Sequence, residues 1–112
     1  MKLVTAFIRP IKLDDVRNAL LVAGVDNISV SEAKIFGGPS GRAEMYRDRE
    51  YNLQFRPNLR IETLVKADII EVIVETIAFA ARTGKHGDGR IVVTEADVVV
   101  NICTGERSYH AA

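Results

Sequence analysis

The sequence has a single cysteine, Cys103, and no excess of charge of either sign. One cysteine cannot form a disulfide within the chain, which fits a reducing cytoplasm. Lysine plus arginine and aspartate plus glutamate both number 15, so we expect no nucleic-acid partner, since no net positive field would attract one. No apolar run is long enough to cross a bilayer, and Arg9 and Pro10 come too early for a signal peptide. We expect a cytoplasmic protein without membrane insertion.

Apolar residues are plentiful, at 47% of the 112 positions, and this is enough for a core in one domain, 1–112. Alternating apolar residues indicate strands, and apolar residues at helical spacing indicate helices with one buried side. The predicted strands are 2–8, 28–36, 59–66, 91–93 and a short strand 98–102 at an edge or between subunits, and the predicted helices are 13–23 and 69–81. Asp68, with Glu71 three residues later, has capping-box spacing and is predicted to cap the second helix.

This order of elements predicts an α+β fold of the ferredoxin-like βαββαβ kind. The helices would cover one face of an antiparallel sheet and leave the other face open. We expect that open face to be partly apolar, and to drive association of copies through their sheets. The residues assigned to it are Val4, Ile8, Ile61, Val65 and Val93.

Residues 37–58 follow no apolar period and contain seven charged side chains. Irregular segments this long in a small domain are commonly functional. Tyr46 and Tyr51 are too apolar for a simple linker, and we interpret the segment as an arm that orders on a partner. The alternative is a hairpin extension of the second and third strands, which is compatible with the arm at its base.

The segment TGKHGDGR, residues 83–90, lies between the second helix and the fourth strand. Its glycines allow positive φ, and free N–H groups in such a turn form an anion site to which Lys85 and Arg90 add charge. Asp88 repels phosphate, but it can bond the loop's own backbone or accept from an amine or a sugar hydroxyl. The alternative is a plain glycine-rich turn. The spacing of a P-loop is absent.

Taken together, the arm, the glycine loop and the two βαβ halves resemble the P-II nitrogen-regulatory family over nearly the whole chain. The similar segments are FIRPIKLDDVRNALLVAGV, YRDREY at 46–51, AARTGKHGDGR at 80–90 and TGER at 104–107. The resemblance implies a homotrimer that binds adenine nucleotides between subunits and acts without catalysis. It also implies a T-loop, 37–58, that docks on a target enzyme, transporter or regulator, a B-loop, 82–90, and a C-terminal tail, 103–112.

By the same resemblance, individual positions receive roles. Those implied to bind nucleotide are Phe7, Ser29, Gly37, Gly38, Glu62, Leu64, Gly87, Asp88, Gly89 and Arg90. Tyr51 matches a tyrosine that some members uridylylate, and Tyr46 matches the other tyrosine of that motif. Asp48 and Arg49 replace small residues there, so we expect Tyr51 to be a contact residue that is not modified.

The sequence also departs from the family at positions that hold anions. Pro39 replaces a glutamine that helps hold magnesium and 2-oxoglutarate, and Asn58 replaces a lysine that pairs with 2-oxoglutarate. Phosphate-binding arginines are replaced by Gly38, Asn101 and Cys103. Because hydrogen bonds to charged groups contribute about 1.5–3 kcal/mol each, we expect weak or absent 2-oxoglutarate binding and less preference for ATP over ADP or AMP. Another small-molecule effector, such as bicarbonate, would then link the protein to carbon as well as nitrogen metabolism.

Two other functional classes fit the same loop. A small nucleotide-hydrolysing enzyme would need a group that positions water, and Asp88 is the only acid inside the loop. An interaction module without nucleotide would keep the fold and lose the ligand. Metal binding is disfavoured, because His86, His110 and Cys103 are too few and too dispersed for a site.

Overall fold

The computed structural model describes residues 1–36 and 55–109. The chain begins with strand β1, Lys2–Ile8, and Pro10–Lys12 then forms a 3-10 turn that leads into helix α1, Leu13–Val22. Asp14 and Asp15 lie in the first turn of α1, where the helix dipole favours negative charge. The helix ends before Gly24, whose φ is 96°. The predicted first strand is confirmed, and the predicted first helix is one residue too long.

Strands β2, Ser29–Phe36, and β3, Phe55–Val65, form an antiparallel hairpin whose last described pair is Phe36 opposite Phe55. The prediction that irregular chain runs to residue 58 is therefore wrong for residues 55–58, which belong to β3. The alternative, a hairpin extension, is correct at this base. Proline is tolerated at position 57 because β1 ends at Ile8, opposite Leu59, so β3 has an unpaired edge beyond that point.

Helix α2, Ile70–Ala81, follows β3 through a 3-10 turn, Ala67–Ile69. Asp68 lies inside that turn, and no side chain caps the start of the 3-10 turn or the start of α2. The predicted capping box is therefore wrong, because the extra turn moves the helix start two residues past Asp68. Strand β4, Arg90–Glu95, completes the repeat.

The four strands form one antiparallel sheet in the order β2-β3-β1-β4. This order and the two helices confirm the predicted ferredoxin-like α+β fold. The helices cover the face of β1 that carries Val4, Ala6 and Ile8, and these side chains are at most 1% exposed. Ile61 and Val65 of β3 belong to the same core.

The assignment of Val4, Ile8, Ile61 and Val65 to the open face is thus wrong. Val93 pairs with Val4 in the register and so shares its face. Both faces of β1 are mostly apolar, so alternation alone did not distinguish the helix side from the open side. The open side carries a mixture of apolar and charged residues, which are Leu3, Thr5, Phe7, Arg60, Glu62, Leu64, Arg90 and Val92.

A separate two-stranded sheet follows, formed by β5, Val98–Val100, and β6, Arg107–Tyr109. The predicted fifth strand is confirmed over its first three residues. The predicted tail, 103–112, begins as the turn of this hairpin and contains β6. Both strands are mostly exposed, which explains why the tail carries no core signal. Within residues 1–36 and 55–109, no helix combines the length and the hydrophobicity needed to span a membrane.

The core assignment makes a direct prediction about α2. Ile73 is fully buried, whereas the adjacent Val72 is 59% exposed. We expect Ile73→Ala to lower the free energy of unfolding by about 2–5 kcal/mol. Val72→Ala, the matched control on the same helix, should change it by less than about 0.5 kcal/mol. Urea denaturation at one fixed protein concentration measures both, and equal losses would contradict the assignment.

Candidate functional site

The open face of the sheet collects five of the residues predicted to bind nucleotide. Phe7 lies opposite Arg90 in the β1–β4 register, and Ser29 lies opposite Glu62 in the β2–β3 register. Leu64 lies opposite Leu3. Because side chains alternate between the faces of a strand, these register positions place all five on one surface.

At one end of this face lies the glycine loop, 83–90. The φ angles of Gly84, Gly87 and Gly89 are 88°, 96° and 109°, which confirms the predicted positive φ. Gly89 packs directly against β1, since a Cβ at that position would lie 2.8 Å from the carbonyl carbon of Phe7 and would overlap the carbonyl oxygen. Only glycine fits this contact.

The Asp88 carboxylate is the centre of the loop. Its Oδ2 accepts hydrogen bonds from the N–H groups of Thr83 and Gly84, both at 2.8 Å. Its Oδ1 accepts from the Thr83 hydroxyl and, at 2.8 Å, from Nε of Arg9. Of the roles considered for Asp88, bonding its own loop is the one the structure contains.

These donors also fix the ionisation of Asp88. The Thr83 hydroxyl first, and then the Arg9 guanidinium and the loop N–H groups, hold the pKa of this carboxyl well below its ordinary value. Hydrogen bonds to the charged form favour that form. The carboxylate is therefore ionised at all physiological pH values and acts as a permanent anchor, which makes it a poor general acid or base.

Arg9 ties the end of β1 to this loop. Besides its ion pair with Asp88, its Nη2 donates to the His86 carbonyl oxygen at 2.8 Å. Arg56 of β3 approaches the same loop, because Nη2 of Arg9 and Nε of Arg56 lie 3.4 and 3.6 Å from where a Cβ of Gly87 would be. Arg90 stacks over Phe7, with its guanidinium carbon 5.0 Å from the ring centroid. The guanidinium groups of Arg9, Arg56 and Arg90 thus all lie at this loop, and that of Arg9 is held by Asp88.

A cavity of about 300 Å³ lies beside this cluster. Its lining residues are Phe7, Ile35, Phe36, Arg56, Asn58, Gly87, Gly89 and Arg90. Asn58 is 5% exposed, and its Nδ2 donates to the Ile8 carbonyl oxygen at 2.9 Å, so its amide supports the end of β1. The cavity lining therefore combines two arginines and glycine backbone with apolar side chains.

A second cavity of about 270 Å³ lies at the other end of the open face. Ser29, Glu62 and Leu64 are among its lining residues. Oε2 of Glu62 accepts from the Thr5 hydroxyl at 2.9 Å and from Nη2 of Arg60 at 3.1 Å. These two hydrogen bonds, that of Thr5 first, lower the pKa of Glu62, so this end carries a carboxylate acceptor.

The structure thus brings the predicted nucleotide residues together as two groups on one face. One group is the loop with Phe7 and Arg90, and the other contains Ser29, Glu62 and Leu64. Along β1 the groups are four residue steps apart, from Leu3 to Phe7, which is roughly 13 Å at the usual strand rise. Gly37, Gly38, Tyr46 and Tyr51 lie outside the described residues.

The sequence analysis did not place two arginines at the loop. Arg9 was considered there only as evidence against a signal peptide, although a long cation directly after β1 lies within reach of any loop beside that strand end. Arg56 was counted with the charges of the arm. Arg56 and Glu62 are six residues apart, an even number, so in one strand their side chains lie on the same face. A predicted β3 that began at residue 55 would therefore have placed Arg56 on the open face.

Comparison with known proteins agrees with this architecture. Residues 1–106 match the family described as nitrogen regulatory protein P-II. The chain is 44% identical to nitrogen regulatory protein GlnK of Escherichia coli strain K12 over 106 residues, 95% of both chains. It is 44% identical to nitrogen regulatory protein P-II of Rhizobium etli over 111 residues, 99% of both chains. Nitrogen regulatory protein P-II 1 of Escherichia coli K12 is 46% identical over 106 residues, 95% of both chains. This chain therefore belongs to the P-II family of nitrogen regulatory proteins.

Proposed function

We propose that this regulatory signal-transduction protein binds an adenine nucleotide, ADP, AMP or ATP, along the open face of its sheet. The phosphates would lie on the glycine loop, and the nucleoside would extend towards Glu62 and Leu64. The bound nucleotide then changes how a target enzyme, transporter or regulator is engaged through residues 37–58. Nitrogen status is the signal that the family name indicates, and a carbon-linked effector such as bicarbonate is part of the proposal.

One observation supports this proposal above all others: the chemical character of the open face changes from one end to the other. The loop end offers glycine backbone and guanidinium groups, which suit phosphate. The other end offers an apolar side chain beside a carboxylate acceptor, which suits a base and ribose hydroxyl groups. A nucleotide carries phosphate at one end and a ribose and a base at the other, in the order that matches these two ends.

The open face of a single chain leaves this ligand exposed to solvent on one side. Exposed apolar side chains such as Leu64 and Val92, 40% and 41% exposed, favour burial against another copy. We therefore include the homotrimer implied by the family in the proposal, with the nucleotide between subunits. Magnesium would be present only as a cation that the nucleotide phosphates coordinate, and we expect a weak response to 2-oxoglutarate or none.

A thermal-shift titration tests the proposal. We expect ADP, AMP or ATP to raise the melting temperature in a concentration-dependent manner, because a ligand that binds the native state stabilises it by about 2.7 kcal/mol at one hundred times its Kd. GTP serves as the control for general polyphosphate binding, and 2-oxoglutarate and bicarbonate are added with and without nucleotide. No shift with any adenine nucleotide would favour an interaction module without nucleotide.

A further inference from the structure

Arg56 is the one arginine near the glycine loop that comes from β3 among the three described above. It belongs to β3, two residues before the buried Asn58, and its strand neighbour in β2 is Ile35. Its Nε lies 3.6 Å from where a Cβ of Gly87 would be, and it comes four residues before Arg60, beyond the point where β1 ends opposite Leu59. The β4 residue Arg90 lines the same cavity, together with Gly87 and Gly89 of the loop.

Arg9 differs from these two cations in its function. It donates to Asp88 and to the His86 carbonyl, so its donors hold the loop. Arg56 and Arg90 line the cavity itself, whereas Arg9 does not. Two guanidinium groups therefore line the cavity, and they come from two different strands of one chain.

We propose that Arg56 is a phosphate-binding residue that determines selectivity for the number of phosphates on the nucleotide. This inference rests on the proposed function and deepens it. Arg90 stacks on Phe7 at the start of β4. Arg56 lies near the outer end of β2 and β3, one residue pair before Phe36 and Phe55. A phosphate chain that enters past Arg90 and crosses the loop meets Arg56 last.

The consequence is a preference that grows with phosphate charge. A guanidinium binds phosphate oxygens in a bidentate manner, and a contact at the far end of the chain is made only by the longer ligands. Arg56 therefore offsets part of the loss expected from Gly38, Asn101 and Cys103. The departures from the family predicted a weaker preference for ATP, and Arg56 of the same chain restores part of that preference.

The test is a calorimetric titration of the full-length protein with ATP, ADP, AMP and adenosine. For Arg56→Gln we expect ATP affinity to fall at least about tenfold, the equivalent of one lost charged hydrogen bond. The loss should be smaller for ADP, smaller still for AMP, and absent for adenosine. Arg56→Lys should recover part of the ATP affinity, because it keeps the charge but loses the planar fork.

Arg17→Gln is the matched control, since it removes the same charge from exposed α1, on the helix side of the sheet. It should leave all four affinities unchanged. Equal losses for all four ligands in Arg56→Gln, or no loss for ATP, would overturn the inference while leaving the proposed function intact. Wild-type protein that binds none of the four would overturn the proposed function and the inference with it.

Discussion

Replacing Gly89 with alanine should abolish measurable nucleotide binding. An added Cβ would overlap the Phe7 carbonyl group, and the φ of 109° is itself unfavourable for an L-residue. Since the neighbouring backbone belongs to central strand β1, the loop must be the part that moves. Two lost backbone hydrogen bonds to a phosphate correspond to about 3–6 kcal/mol, or more than a hundredfold in affinity. Calorimetric titration with ADP measures this.

Gly24→Ala separates loop geometry from backbone strain. Its φ is 96°, but a Cβ there would meet nothing within 4 Å, and it lines neither cavity of the open face. We expect this control to lose about 1–2 kcal/mol of stability and no nucleotide affinity. If Gly89→Ala bound ADP as well as Gly24→Ala does, the loop would not be the phosphate site.

Replacing Asp88 with asparagine should weaken phosphate binding, although it removes a negative charge from beside the ligand. The carboxylate accepts from four donors, three in the loop and one from Arg9 directly after β1, and charge-assisted hydrogen bonds are about twice as strong as neutral ones. Without them the loop N–H groups lose their orientation, and we expect a roughly tenfold loss for ADP. A simple charge effect would instead raise the affinity.

The sign of this change is therefore decisive, and ADP titrations of both proteins measure it. Asp15→Asn is the control, because Asp15 pairs with Lys12 at 3.6 Å on the first turn of α1 and should leave affinity unchanged. A gain of ADP affinity in Asp88→Asn would contradict the anchoring role.

The same anchor predicts a pH dependence. Because the folded pKa of Asp88 is depressed, its stabilising contribution is fully present above the ordinary aspartate value of about 3.9 and is lost only as the pH falls through the lower folded value. The stability difference between wild type and Asp88→Asn should thus persist at pH 4. Denaturation at pH 7 and pH 4 measures it, and a difference that is present at pH 7 but lost at pH 4 would contradict the depressed pKa.

Much of this fold follows from local patterns. Alternation placed β1 to the residue, and helical spacing placed α1 and α2 to within one residue at their ends. The family resemblance assigned a common ligand to Phe7, Ser29, Glu62, Leu64 and Arg90, but only the register of the sheet places them on one surface. The positive φ of the loop followed from its glycines alone.

What could not be predicted depends on contacts between distant parts of the chain. The start of β3 was missed because Pro57 and nearby charges are poor strand formers, and only the early end of β1 makes them acceptable. The helix-covered face was misassigned, since both faces of β1 are apolar and the deciding contact comes from α2. Arg9 and Asp88 are 79 positions apart, and no local sequence pattern indicates such a pair.

The hairpin base has a consequence for how this protein diversifies. Phe36 and Phe55 are opposed in the register, so the chain leaves the scaffold and returns to it at points only about 5 Å apart. Closure of the intervening stretch is thus enforced by the sheet, and doubling its length would cost only about 0.6 kcal/mol in chain entropy. Inserts of different length and composition can therefore be exchanged at this junction while the open face of the sheet is inherited unchanged.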